Sequence, residues 1–119
     1  MSNDYIAPIA ALLTYNGAVT LRATVENPST IDPDAIGGRE RIFTGLGKWT
    51  SIAAQAIRRH LCKLGLAEMV WTGTYWHPYR EERHKNMRCR ITPLGREVAA
   101  YITANWDDLL PNFRECGRR

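Results

Sequence analysis

The run Met87-Arg88-Cys89-Arg90-Ile91-Thr92-Pro93 constrains this chain more than any other. Met87, Cys89 and Ile91 alternate with Arg88, Arg90 and Thr92, the two-residue period of a strand with one face in a core. The strand has to stop at Thr92, because a threonine hydroxyl caps a helix start and Pro93 fits the first helical turn without losing a hydrogen bond. A strand of this kind needs a partner. Leu66 to Thr72, with Leu66, Val70 and Trp71, supplies one, although it alternates less regularly. A strand, a charged excursion, a returning strand and a helix start are therefore expected over 66–93.

The segment leading into this hairpin reads as an amphipathic helix over about 51–64. Ile57, Leu61 and Leu64 share a face with Ala53 and Ala54, while Ser51, Gln55, Arg58, Arg59 and Lys63 fall on the other. Thr50 or Ser51 caps its start. Gly65 ends it in the left-handed conformation that other residues avoid, and Leu66 makes the apolar contact that follows such an end. After Pro93 a last helix runs to about residue 110, with Val98, Tyr101, Ile102, Trp106 and Leu109 as its apolar stripe. Gly95 stands where a capping box would place Glu or Gln.

The N-terminal third is less regular. Tyr5 to Tyr15 reads as a helix, with Ile6, Ile9, Ala10 and Leu13 on one face, Pro8 in an early turn and Asn16-Gly17 as its stop. In Ala18 to Val25 the alternation Val19, Leu21, Ala23, Val25 suggests a strand. Asn27 to Gly38 holds Pro28, Pro33, Gly37 and Gly38 and reads as loop. A further helix then has to fit within Asp34 to Leu46, short or irregular because of its glycines.

At 119 residues the chain is expected to form one domain, with roughly 65% of the unfolded chain's surface buried on folding. No apolar run is long enough to span a bilayer, and the N-terminus lacks the basic start and apolar stretch of a secretory signal. Cys62, Cys89 and Cys116 are odd in number and lack paired spacing, which fits a reducing cytoplasm. The net charge of +4 favours an anionic partner only mildly. Its distribution favours one more strongly. Arg80, Arg83, Lys85, Arg88 and Arg90 crowd the hairpin, Arg58, Arg59 and Lys63 line the preceding helix, and most acids lie elsewhere, at Asp4, Glu26, Asp32, Asp34, Glu40, Asp107 and Asp108.

The helix ending in Leu64-Gly65-Leu66, the hairpin and the Thr92-Pro93 helix start together resemble a winged helix-turn-helix domain. The resemblance is to small bacterial or phage transcriptional regulators of the multiple-antibiotic-resistance and phenolic-acid-decarboxylase types. It covers Trp49 to Asn105 well and Ile6 to Gly17 loosely, and it allows either a short strand or the start of its second helix in Ala18 to Val25. The implied fold is mainly α with a small β-hairpin, an α+β domain. The helix over Ser51 to Lys63 would enter the major groove, and the hairpin over Thr72 to Asn86 would lie along the backbone or minor groove. The implied activity is sequence-specific binding of double-stranded DNA by a homodimer, with the helix after Pro93, through Tyr101, Trp106, Leu109 and Leu110, as its dimer element.

On that reading Gln55, Arg58 and Arg59 pair with base edges, and Lys48 and Lys63 hold phosphates, flanked by Thr50 and Ser51. Arg80, Arg83, Lys85 and Arg88 hold phosphates from the hairpin. The bland reading of the same residues is a solvated helix face. The hairpin tip, Tyr75-Trp76-His77-Pro78-Tyr79-Arg80, suits base stacking, burial beneath the long loop, or a protein interface through Tyr75, Trp76 and Tyr79. A second function follows from the interface: a protein-interaction module, such as a mobile-element accessory protein that docks on a host nuclease or polymerase. His77, His84 and Cys89 match no compact zinc pattern, and no metal or other cofactor is expected. His60, near the apolar edge of its helix, reads as a packed residue. No nucleophile elbow, phosphate loop or acid pair at a site-like spacing is present, and no catalytic residue is expected.

Overall fold

A computed structural model of the chain describes residues 3–38 and 52–114. Over these the protein is a mixed α+β structure. Helix α1 spans Asn3–Ala10, α2 Tyr15–Glu26 and α3 Ile52–Lys63. Strands β1 (Ala67–His77) and β2 (Glu82–Ile91) form an antiparallel hairpin. Helix α4 (Pro93–Ala104), the single turn α5 (Trp106–Leu109) and a 3₁₀ turn at Leu110–Asn112 complete the order.

The core gathers one face from each of α1, α2, α3 and α4. Ile6 and Ala10 of α1, Leu21 of α2, Ile57 and Leu61 of α3, and Val98 and Ile102 of α4 are buried, with Leu13 and Leu66 between them. Leu66 owes its place to the end of α3. Gly65 has φ +78, its N–H donates to the Cys62 carbonyl at 3.0 Å, and the Leu66 N–H donates to the Leu61 carbonyl at 2.9 Å. This paired termination turns the chain sharply from helix into strand and sets Leu66 against the helix it has just left. At the other end of the hairpin Thr92 accepts the Gly95 N–H at 3.0 Å and donates its own hydroxyl to the Gly65 carbonyl at 2.7 Å. The Leu66 carbonyl lies so close to Gly95 that any side chain there would overlap it. The glycine that left the capping box incomplete is thus the residue that lets α4 press against the α3–β1 junction.

The N-terminal region departs from the sequence expectation. The first helix ends at Ala10, and Asn16-Gly17, expected as its stop, lies in the first turn of α2. Thr14 is the cause: it N-caps α2 by accepting the Gly17 N–H at 3.0 Å. Residues 18–25 are helical, not extended. The face they bury is Gly17, Ala18, Thr20, Leu21 and Thr24, at helical spacing. Both buried threonine hydroxyls are satisfied one turn back, Thr20 on Asn16 O at 2.7 Å and Thr24 on Thr20 O at 2.8 Å.

The loop after α2 is folded onto the body. Residues 34–38 form turns, not helix, and Ala35, Ile36, Gly37 and Gly38 are buried. The Gly37 N–H donates to the Thr24 hydroxyl at 2.9 Å. Ala35 bridges Arg90 in antiparallel fashion: the Ile36 N–H donates to Cys89 O at 3.0 Å and the Ile91 N–H to Asp34 O at 2.8 Å. The remainder of the helix expected within 34–46 lies outside the described residues.

The last helix is also shorter than expected. It breaks at Asn105, whose backbone and side-chain N–H groups both donate to the Tyr101 carbonyl, at 3.1 and 2.9 Å. The break turns Trp106 onto Tyr15 and Phe113, with ring centroids 6.5 and 5.3 Å away. The Arg22 guanidinium covers its face at 4.6 Å.

Candidate nucleic-acid interface

Helix α3 has the two faces expected of it. Ala54, Ile57 and Leu61 are buried, whereas Gln55, Arg59 and Lys63 are exposed and Arg58 is half-buried. The helix contains no acidic residue. Its register is fixed at the base by Leu61 and at the end by Gly65, so the cationic side is held outward. Lys48, Thr50 and Ser51 lie outside the described residues, and the side chains of Tyr75 and Lys85 are also not among those described.

His60 sits on the flank of α3 that faces the N-terminal helices. Its Nε2 accepts the Thr14 N–H at 3.3 Å, and its ring lies where a side chain at position 17 would meet it at 3.1 Å. Burial lowers its pKa below the ordinary 6.5, and the positive charges of Arg114 and Lys63 lower it further. The neutral imidazole is the form that can accept, so hydrogen bond and pKa agree. The packed role expected for His60 is a specific one: it ties α3 to the cap of α2.

The hairpin outgrows the body. Its register pairs Ala67 with Ile91, Met69 with Cys89, and Trp71 with Met87. Ala67, Cys89 and Ile91 are buried, as the alternation predicted, but Met87 is 41% exposed and Trp71 61%. The helical body reaches only the first two pairs, so the face that begins as core continues into solvent. Cys62 of α3 stands against this buried base, and Cys89 is pushed up to about 12 by burial and by the neighbouring Cys62 thiol. Between α3 and β1 runs an open groove of about 280 Å³, lined by Gln55, Arg58, Arg59, Cys62 and Met69.

At the tip Tyr79 is 93% exposed and Trp76 55%, so neither is buried beneath the long loop. Arg80 and Arg83 are exposed there as well. Arg88 differs. Asp32 lies 3.6 Å from its guanidinium, and Arg90 joins Asp32 at 3.2 Å and Asp34 at 2.9 Å. Arg96 completes the cluster on Asp34. The charge segregation seen along the sequence is therefore partly undone in space. The loop acids, distant in the chain, fold onto the base of β2 and neutralise its arginines. Arg59 and Lys63 of α3 and Arg80 and Arg83 of the tip remain exposed.

The C-terminal residues expected at a dimer contact are largely used within the chain. Trp106 and Leu109 pack against the core cluster, as does Tyr101, and Leu110 is 41% exposed. Among the described residues no cluster of His, Cys, Asp and Glu has the arrangement of a metal site. No described helix is long and apolar enough to cross a membrane. Comparison with protein-family models, with curated proteins and with solved structures finds no match to this chain.

Proposed function

We propose that the protein binds double-stranded DNA sequence-specifically, as a winged helix-turn-helix regulator of transcription. One observation carries the reading: a helix anchored in the core by Ile57 and Leu61 presents Gln55, Arg59 and Lys63 outward, without an acid, beside a hairpin whose tip is basic. Arginine and glutamine at the centre of such a face match guanine and adenine edges, and Lys63 and the tip arginines match phosphates. The isolated bridge between Ala35 and Arg90 supports the reading in a smaller way, since it pins the loop after α2 to the base of the hairpin. The proposed assembly is a homodimer on two symmetric half-sites.

The test is an anisotropy titration on a duplex selected from a random pool and on a scrambled one. Wild type should prefer the selected duplex, and Arg59→Ala should weaken that binding by about 1–3 kcal/mol, the worth of one base-edge pair. Equal, weak and salt-erased binding to both duplexes would refute the reading. The exposed Trp76 and Tyr79 favour a second function, a protein-interaction module that docks through its hairpin tip.

A further inference from the structure

The inner face of the hairpin, the one continuous with the core, carries an exposed apolar stripe that a duplex reader does not need. Met69 is 50% exposed, Trp71 61% and Met87 41%. Beyond them the register changes: Trp71 pairs with Met87, but the next pair is Thr74 with Lys85. Strand β1 thus holds one more residue than β2 at this point, a bulge with Gly73 at φ +129. Because side chains alternate, the extra residue brings Trp76, paired with Arg83, back to the side of Trp71. Without it the two indoles would lie on opposite faces. They stand four ladder steps apart, roughly 14 Å along the strand.

The charge around this stripe is of one sign. Arg58 and Arg59 line the groove where the stripe meets α3, and Arg83 stands opposite Trp76. The only acid of β1, Glu68, is paired with Arg90 on the other face, and the only acid of β2, Glu82, is its first residue. Flat apolar surfaces beside guanidinium groups suit a partner that offers planar rings and a negative charge at each step. Unpaired nucleotides do so. Their bases stack on indole, their phosphates pair with arginine, and spaced aromatic side chains make such a surface tolerant of sequence. In an intact duplex the base faces are covered.

We propose that Trp71 and Trp76, with Arg83, receive the unpaired bases of a strand leaving the duplex, so that the protein prefers duplex–single-strand junctions. The proposal deepens the duplex reading, because the stripe begins where α3 would hold the double helix.

The test is anisotropy on three probes: a blunt duplex, the same duplex with a six-nucleotide overhang, and the single strand. A polyglutamate peptide serves as the acidic non-nucleotide control. The overhang should tighten binding by on the order of tenfold for each stacked base. Trp71→Ala should remove most of that gain and leave blunt-duplex affinity unchanged, Trp76→Ala should also remove most of the gain, and Trp71→Phe should keep it. Equal affinity for blunt and overhang probes in wild type would overturn the proposal, as would a preference untouched by Trp71→Ala. Trp71-dependent capture of polyglutamate without an overhang preference would assign the face to an acidic protein and overturn it too. The two readings fail separately. Selectivity among blunt duplexes with no overhang effect removes only this proposal. Trp71-dependent binding of overhang and single strand without duplex selectivity removes only sequence-specific duplex recognition.

Discussion

The Nε2 of His60 accepts the backbone N–H of Thr14 at 3.3 Å, joining the last turn of the cationic helix to the cap of α2. Two separately formed local structures, a helix and a helix cap, are thereby held in one relation. The bond exists only while the imidazole is neutral.

Stability should follow that titration. Burial, then Arg114 and Lys63, lower the folded-state pKa of His60 below its ordinary 6.5. The unfolded chain therefore binds more protons as the pH falls below about 6.5, and stability rises with pH through that window. The stabilisation is complete above the unfolded pKa and is lost as pH falls through the folded one. Melting temperatures between pH 5 and 8 should show a drop on the acid side. His60→Gln, which keeps an acceptor without a titration, should flatten it. An unchanged acid-side slope in that variant would place the titration elsewhere.

The two faces of α3 should respond very differently to truncation. Leu61 is fully buried, so Leu61→Ala should cost about 2–5 kcal/mol, the transfer and cavity loss of a core leucine. Arg59→Ala, at an exposed position, should change stability by no more than about 0.5 kcal/mol. Urea midpoints measure both, and comparable losses would mean that the helix is rotated from its described setting.

Gly65 and Gly95 should fail for different reasons. A side chain at Gly65 meets nothing nearer than Leu94 at 3.9 Å, so Gly65→Ala carries only the left-handed backbone strain, about 1–2 kcal/mol. At Gly95 it would overlap the Leu66 carbonyl, and α4 would have to move away from the junction. Denaturant unfolding should therefore rank Gly95→Ala as the costlier change.

The acidic cluster makes a salt-dependent claim. The pairs of Asp34 with Arg90 and Arg96 are partly exposed, so Asp34→Asn should cost about 0–1 kcal/mol for each pair at low salt. The difference from wild type should shrink toward 1 M salt, where the screening length falls to about 3 Å. A penalty as large at high salt as at low would rule out charge pairing as the contribution of the Asp34 side chain.

The same cluster divides the arginines of the hairpin by function. Arg83→Ala should weaken binding to every duplex alike and lower the salt slope by about one. Arg88→Ala should do so less, because Asp32 already neutralises Arg88. Salt titrations of the two variants on one duplex give the comparison directly.

The sequence signals that held were local and strong. The alternation at 87–91, the Leu64-Gly65-Leu66 ending and the Thr92-Pro93 start each lie within a few residues, and each specifies its own backbone geometry. Helix α2 was obscured because the alternation of Val19, Leu21, Ala23 and Val25 mimics a strand. The face it buries consists largely of Gly17, Ala18, Thr20 and Thr24, which do not look apolar until their hydroxyls are seen bonded to the preceding turn. The docking of Asp32 and Asp34 on Arg88 and Arg90 left no local trace, since it joins residues more than fifty positions apart. The stacking stripe was half visible. Trp76 stood out beside the basic tip, but placing Trp71 on the same side required the extra residue at 72–73.

The short bridge at Ala35 also bears on how the chain stays apart from its own copies. An open sheet edge offers unpaired N–H and C=O groups to any passing strand and invites aggregation. Along β2 the base around the buried Cys89 and Ile91 would offer the most adhesive template, and there residues 34–36 already occupy its hydrogen bonds. Farther out no such cover is seen among the described residues, but Glu82, Arg83 and Lys85 interrupt the strand with charge, which discourages edge-to-edge growth. A loop guards the greasy end of the edge, and charge repels at the other. Releasing residues 34–36 should therefore expose the chain first to self-association, before it costs the hairpin its shape.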